Sequence, residues 1–448
     1  GLGDVYKRQV LAAFASAQGD ITVNAGTITE FESLLQLETE SKINITGLNL
    51  TTTTVNVTQA NTLTGATTGT VTATVNAGGV NALTALNADG DNNAALSITI
   101  TDNSASAADL NTINAATTVA VDATAIATIS SSSLTDISTL GAAITAGSIA
   151  ATTAIGSINV SGDAIDFTTL ESEINRFDAF RIDPAVAAFT LADTTTVTLG
   201  TQDEVTAFLA DVAAGLVSVT GASQAVTVTP SGSGGVDISH TDAIALAAAA
   251  GGTVTATIVN TTTVAQLATL YDAGETNAYT ITISGADATG STAAEFNAIN
   301  SATSEAINAS VVTSISGTAA DIATLMSAAE QTAEFTATSF DLIAATDGLS
   351  ITGTTIDVTD LNNAITRANT TSNNTVLATF ASAQGDITVN AGTITEFESL
   401  LQLETDSKIN ITGLNLTTTT VNVTQANNLT SKTTGTVTAT VNAGTVNA

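Results

Sequence analysis

The sequence predicts an α/β solenoid, a right-handed stack of short parallel strands and short helices. Three observations lead there: a near-identical internal repeat, a recurring helix-start signal, and β-branched runs lying between those starts. Residues 10–82 lie over residues 376–448 at a constant offset of 366. In 73 positions there are six differences: Ala13/Thr379, Glu40/Asp406, Thr62/Asn428, Gly65/Ser431, Ala66/Lys432 and Gly79/Thr445. A fixed long period marks an array, so residues 10–375 read as one full 366-residue unit and residues 376–448 as the start of a second.

Residues 7–20, KRQVLAAFASAQGD, have the outline of a secretory signal peptide. The return of the same apolar run from Val376, deep in the chain, assigns it to the repeat instead. The match begins sharply at Val10. Residues 1–9, GLGDVYKRQ, share no position with the RANTTSNNT that precedes Val376. They resemble an adapter-derived stretch that contaminates translated metagenomic assemblies, and are expected to be a non-native leader.

The helix-start signal is Ser or Thr followed three residues later by Asp, Glu or Gln, a pairing that satisfies two backbone donors a helix N-terminus would otherwise leave orphaned. It recurs at Thr27/Glu30, Ser106/Asp109, Ser133/Asp136, Thr168/Glu171, Thr201/Glu204, Thr263/Gln266, Thr292/Glu295, Thr318/Asp321 and Thr393/Glu396. Apolar residues three or four apart follow most of these, as in Leu110/Ile113 and Phe296/Ile299, so each predicts a one-faced helix of about ten residues. Where the series is unbroken the starts are spaced 27, 35, 33, 29 and 26 residues apart. The stretches of 79 from Thr27 to Ser106 and of 75 from Thr318 to Thr393 each fit three units.

Runs that alternate small or β-branched residues read as strands: residues 70–75, 118–129, 253–259, 279–285 and 305–315. A strand, a helical crossover and another strand favour parallel pairing of right-handed connection. Residues 106–130 and 292–316 show the unit twice, with 11 of 25 positions identical. Tandem β-sandwich or β-helix domains are the alternative. Sandwiches turn every 8 to 12 residues or so, which the recurring helix caps fit poorly.

Composition narrows the class. Aromatics are 3%, charged residues 11%, and apolar residues 44%, mostly small aliphatics. These suit thin layers between closely approaching backbones rather than a thick core. With 41 acidic against 8 basic residues the formal charge is −33, which opposes nucleic-acid binding. There is no Cys for disulfides or thiolate sites, and no apolar run approaches the roughly 18 residues that span a bilayer.

The SAADL/TAAEF, NAINSAT and SISGTAADI grammar of residues 79–365 resembles the repeats of very large extracellular bacterial proteins, particularly those of marine cyanobacteria. That resemblance implies a cell-surface or secreted setting with a structural, adhesive or motility role. Neighbouring repeats of the same chain would be partners, with cell-surface glycans or other cells beyond them. It carries no catalytic signature.

Candidate sites are few. Asp89, Asp91 and Asn93 alternate as at the start of a calcium loop, but the Gly and downstream Glu of an EF-hand are missing, and a polar turn is the preferred reading. Calcium is the one cofactor considered; none is required. Arg176, Asp178, Arg181 and Asp183 concentrate charge around Phe177 and Phe180, as a recognition patch or, preferably, as local ion pairs. His240, the sole histidine, lies near Asp237, Ser239 and Asp242 but, read on a strand and without a nucleophile elbow, makes no triad. The Gly-rich residues 231–235 lack a phosphate-loop Lys. Alternating Thr70/Thr72/Thr74 and Thr253/Thr255/Thr257 suit an ice-binding face, although uneven coil spacing favours plain strand propensity. The expectation is a non-enzymatic structural or adhesive segment. A solenoid binding carbohydrate, divalent cations or ice is the alternative.

Overall fold

A computed structural model describes residues 13–442, except residue 15 and residues 88–92, 152–154, 163, 180–187, 193, 220–223, 271–276, 288, 331–333, 337–339, 343–347 and 373. The fold is α/β, with 14 helices and several small parallel sheets among the described residues, and no closed barrel. Two compact units divide it, residues 1–198 with 206–224, and residues 199–205 with 225–448.

In the first unit one sheet runs in chain order through Thr22–Asn24, Asn49–Val55, Val71–Val75 and Ala94–Ser97. Another runs through Ser104–Ser106, Thr128–Ser133, Ser157–Ser161, Ala188–Leu191 and Val217–Val219. In the second unit Ala225–Val228, Val254–Thr257 and Ala278–Thr280 are neighbours, as are Ile315–Thr318, Leu349–Thr352 and Ala378–Phe380. Thr355–Asp357, Thr388–Asn390, Asn415–Val421 and Val437–Val441 form a further sheet. Every described strand register is parallel. The hairpin-linked antiparallel sandwich therefore has no counterpart among the described residues.

Strand alternation is visible in burial. Val71, Ala73 and Val75 are buried while Thr72 and Thr74 face out, as the pleat requires of a one-sided hydrophobic pattern. The interior is largely aliphatic. Phe rings fill its wider places as edge-on pairs, Phe167 on Phe208 with centroids 5.6 Å apart, and Phe296 on Phe340, also at 5.6 Å.

The helix starts fall where the caps predict. Thr27, Ser106, Ser133, Thr263, Thr292 and Thr393 directly precede helices, and Thr201 and Thr318 accept from the amides of Glu204 and Asp321. Thr168 is a correction. The helix Phe167–Ala179 already contains it, and the Asp166 carboxylate accepts from the Thr169 amide at 3.2 Å.

Between Thr27 and Ser106 two more helices begin, after Asn56 and Gly79, making three units as expected. Between Thr318 and Thr393 the described residues begin one further helix, after Asp357, where two were expected. The run 305–315 is also corrected. It holds two isolated bridges, Ile307 to Phe335 and Asn308 to Thr282, and its regular strand starts only at Ile315, the Asn308 side chain accepting from the Ser310 amide just beyond them.

Two side-chain devices recur between successive strand and helix elements. Five residues after a cap, an Asn donates to the carbonyl of the third residue of the following helix. Asn111 reaches Asp136 at 3.0 Å, Asn297 reaches Asp321 at 3.0 Å, and Asn362 reaches Glu396 at 2.9 Å. At helix exits a Thr turns inward and bonds a carbonyl in or just before an earlier strand. Thr67 donates to Leu48 O at 2.7 Å, Thr117 to Leu96 O at 2.7 Å, Thr303 to Tyr279 O at 2.8 Å and Thr433 to Leu414 O at 2.6 Å. Asn111/Asn297 and Thr117/Thr303 are among the identical positions of 106–130 and 292–316. Two of the residues the segments share thus make the same long-range bonds in both. The backbones are close here: a Cβ on Gly69 would sit 2.3 Å from the Leu48 carbonyl oxygen.

Candidate functional site

Two shallow polar grooves flank the helix Val358–Thr371 in the second unit. Val358, Leu361, Ala364, Ile365 and Ala368 form its buried stripe at helical spacing. Its outer face is therefore left to Asp360, Asn363, Thr366 and Arg367. On one side the helix Ala319–Glu330 closes a groove of about 520 Å³, lined by Asn297, Asn300, Ser327, Glu334, Asn363 and Arg367 among others. On the other the helix Ile394–Thr405 closes one of about 570 Å³, lined by Thr359, Asn362, Thr366, Thr393, Glu396 and Ser399 among others. Asn300 is held by the Glu334 carboxylate at 3.0 Å. Arg367 lies 3.5 Å from Glu330.

Chemically these grooves offer amides, hydroxyls and carboxylates. They can hydrogen-bond a polyhydroxyl chain, and their linings include no aromatic side chain. Sequence reasoning did not single them out. The available signal was the Asn at the fifth position after a cap, together with a polar helix face.

The sequence-level candidates are dispersed. Asp89 and Asp91 lie outside the described residues. Asn93 is buried, and its amide donates to Thr67 O at 2.8 Å, so it makes a structural bond to a residue 26 positions earlier. No group of three or more potential metal ligands occurs among the described residues.

Arg176 donates to Ser138 O at 3.1 Å and lies 3.5 Å from Glu173, whose side chain is 2% exposed. Asp178 is exposed, and Phe180, Arg181 and Asp183 lie outside the described residues. Phe177 packs edge-on against Phe189, with centroids 6.0 Å apart.

His240 begins a helix rather than lying on a strand, which corrects the sequence reading. Ser239 caps that helix and accepts from the Asp242 amide. Asp237 is taken by Ser231, whose hydroxyl donates at 2.7 Å. The glycines at 231–235 form a short turn, in which Gly234 adopts φ +87° and a Cβ on Gly235 would meet the Thr229 carbonyl at 2.0 Å. Thr72, Thr74, Thr253 and Thr255 do face outward.

Electrostatics are dominated by the acidic excess. Among the described residues Lys42, Arg176, Arg367, Lys408 and Lys432 each sit beside a carboxylate. Lys42, hydrogen-bonded to Glu40, holds that carboxyl below its ordinary range, and the Thr124 hydroxyl does the same for Asp122.

Asp211 is pushed up, first by burial and then by the Glu171 charge. Its folded form holds a proton more tightly than the unfolded chain does. The associated stability is full below the ordinary Asp range and is lost as pH rises through the raised value. Asp211→Asn is accordingly expected to raise the melting temperature at neutral pH, with the gain fading in acid. An equal gain at both pH values in thermal melts would refute this origin.

The fold and these grooves define an α/β protein of small parallel sheets with polar surfaces between helices. Comparison with protein families, curated proteins and solved structures finds no match for this chain. No helix among the described residues is long and apolar enough to cross a membrane.

Proposed function

We propose that the chain is a non-enzymatic structural or adhesive repeat segment of a very large bacterial cell-surface or secreted protein. Its strand and helix units stack as a right-handed solenoid that serves as a stalk or lattice element. The observation carrying this reading is that strands a coil apart pair in parallel, while Asn111, Asn297 and Asn362 donate across to the next helix. A unit that completes its hydrogen bonds and its hydrophobic face only on its neighbour is the working principle of a stack. The high negative charge keeps such a surface soluble. The resemblance of residues 79–365 to giant surface-protein repeats supports the setting.

Small-angle scattering of the full chain tests the stacking. A compact domain of this length has a radius of gyration near 22 Å by the usual size scaling, roughly, and a stack is expected well above it. Antibodies against the chain are expected to label intact cells carrying the gene; labelling only after lysis would overturn the surface assignment. A second reading, carbohydrate binding, draws on the amide and hydroxyl linings beside Val358–Thr371. A glycan array on the full chain separates it from the purely structural role.

A further inference from the structure

One helix sequence, ITEFESLLQLET, occurs twice, at Ile28–Thr39 and at Ile394–Thr405. The two copies differ in what surrounds them. In the second, Leu400, Leu401 and Leu403 are 0, 7 and 7% exposed. In the first, the equivalent Leu34 and Leu35 are only half-buried, and Leu37 is 40% exposed. The preceding strand behaves alike. Ile387 and Val389 are buried, whereas Ile21 and Val23 are half-buried. Identical sequence removes intrinsic propensity as the cause, so the neighbour is what differs.

In the second copy that neighbour is visible. Thr355–Asp357 pairs in parallel with Thr388–Asn390, Leu349–Thr352 pairs with Ala378–Phe380, and the helix Val358–Thr371 packs on Ile394–Thr405. Asn362 supplies its hydrogen bond to Glu396 O at 2.9 Å. In the first copy the counterpart of Thr388–Asn390 is Thr22–Asn24, which stands at the edge of its sheet. An edge strand with an apolar face beside it is a template for a further strand and helix.

We infer that residues 21–37 are the receiving half of a self-complementary junction, and that its occupant is the 349–375 edge of another copy of the 366-residue unit. The donor's register is the one already present within the chain: Thr355 on Thr22, Ile356 on Val23, Asp357 on Asn24. Leu361 and Ile365 face the leucines of the receiving helix. This deepens the proposed stacking and rests on it.

The test replaces residues 1–9 of the full chain by a second copy of residues 349–375, so that the added segment meets Val10 as Thr375 meets Val376. Hydrogen exchange is read on residues 34–41 and 400–407, whose peptides differ by one methylene at Glu40 and Asp406. In the unextended chain 34–41 is expected to exchange about tenfold faster or more than 400–407, and in the extended chain to slow to the same rate. Equal rates in the unextended chain, or no slowing on extension, overturns the junction. An added segment carrying Leu361→Asp and Ile365→Asp is expected to abolish the slowing, and retained slowing also overturns it. Slowed exchange in a particle that scatters as compact would sink the solenoid and leave the junction standing; a rod without slowing would do the reverse.

Discussion

Arg176→Met is expected to lower stability by about 3 kcal/mol, the low end for breaking a buried ion pair by removing one partner. Glu173 is buried on a helix face where a Cβ on Gly141 would come within 3.0 Å of its Oε2 and 2.9 Å of the Arg176 Cδ. Met keeps the length of the stem and its apolar contacts, so the change isolates the charge. The partial exposure of Arg176, 30%, and the 3.5 Å separation place the effect at the low rather than the high end. Adding Glu173→Gln to the variant is expected to restore most of the loss, since the stranded charge is then gone. Urea unfolding followed by circular dichroism measures both. A single variant within about 0.5 kcal/mol of the parent, the usual range for a surface change, would return Arg176 to the role of a surface recognition residue.

Thr303→Val is expected to cost about as much, for a different reason. The Thr303 hydroxyl accepts from the amides of Tyr279 at 2.9 Å and Glu305 at 3.1 Å and donates to Tyr279 O at 2.8 Å. Thr303 is 6% exposed. Val has nearly the same shape, so packing survives while backbone groups lose a partner, each at about 1–3 kcal/mol when buried. Thr303→Ser keeps the hydroxyl and is expected to stay within about 1 kcal/mol of the parent. Thermal melts of the two variants decide it: equal losses for Val and Ser would assign the position to methyl packing instead of the inter-coil clasp.

Both predictions concern residues whose partners lie far off in sequence, which marks the boundary of what was legible. Helix starts were readable because the hydrogen bonds that make them close within three residues, as Thr292 and Glu295 do. Asn56 and Asn422 escaped because the amide version of the same box, with Gln59 and Gln425, lies outside a search for Ser and Thr. Ser239 escaped although Asp242 stands in place, because His240 was read on a strand. Gly79 could not have been found. Its helix is capped by Asp102, whose carboxylate accepts from the Val80 amide at 2.8 Å from the following coil. The candidate grooves were partly legible: the polar face of residues 358–371 is in the sequence, but a groove needs the adjoining helices at either side.

The sequence by itself determined where most helices begin, which strand faces are apolar, and that residues 10–82 return at 376–448. Those properties are local or are simple identities, so they survive without a fold. Only the tertiary structure decided that Asn111, Asn297 and Asn362 brace successive helices, that Thr303 clasps the Tyr279 backbone, and that one helix sequence is covered in its second copy and open in its first. A hydrogen bond between coils or a buried leucine depends on which backbone lies alongside, and that neighbour is chosen by packing across tens of residues rather than by the residue's own preferences.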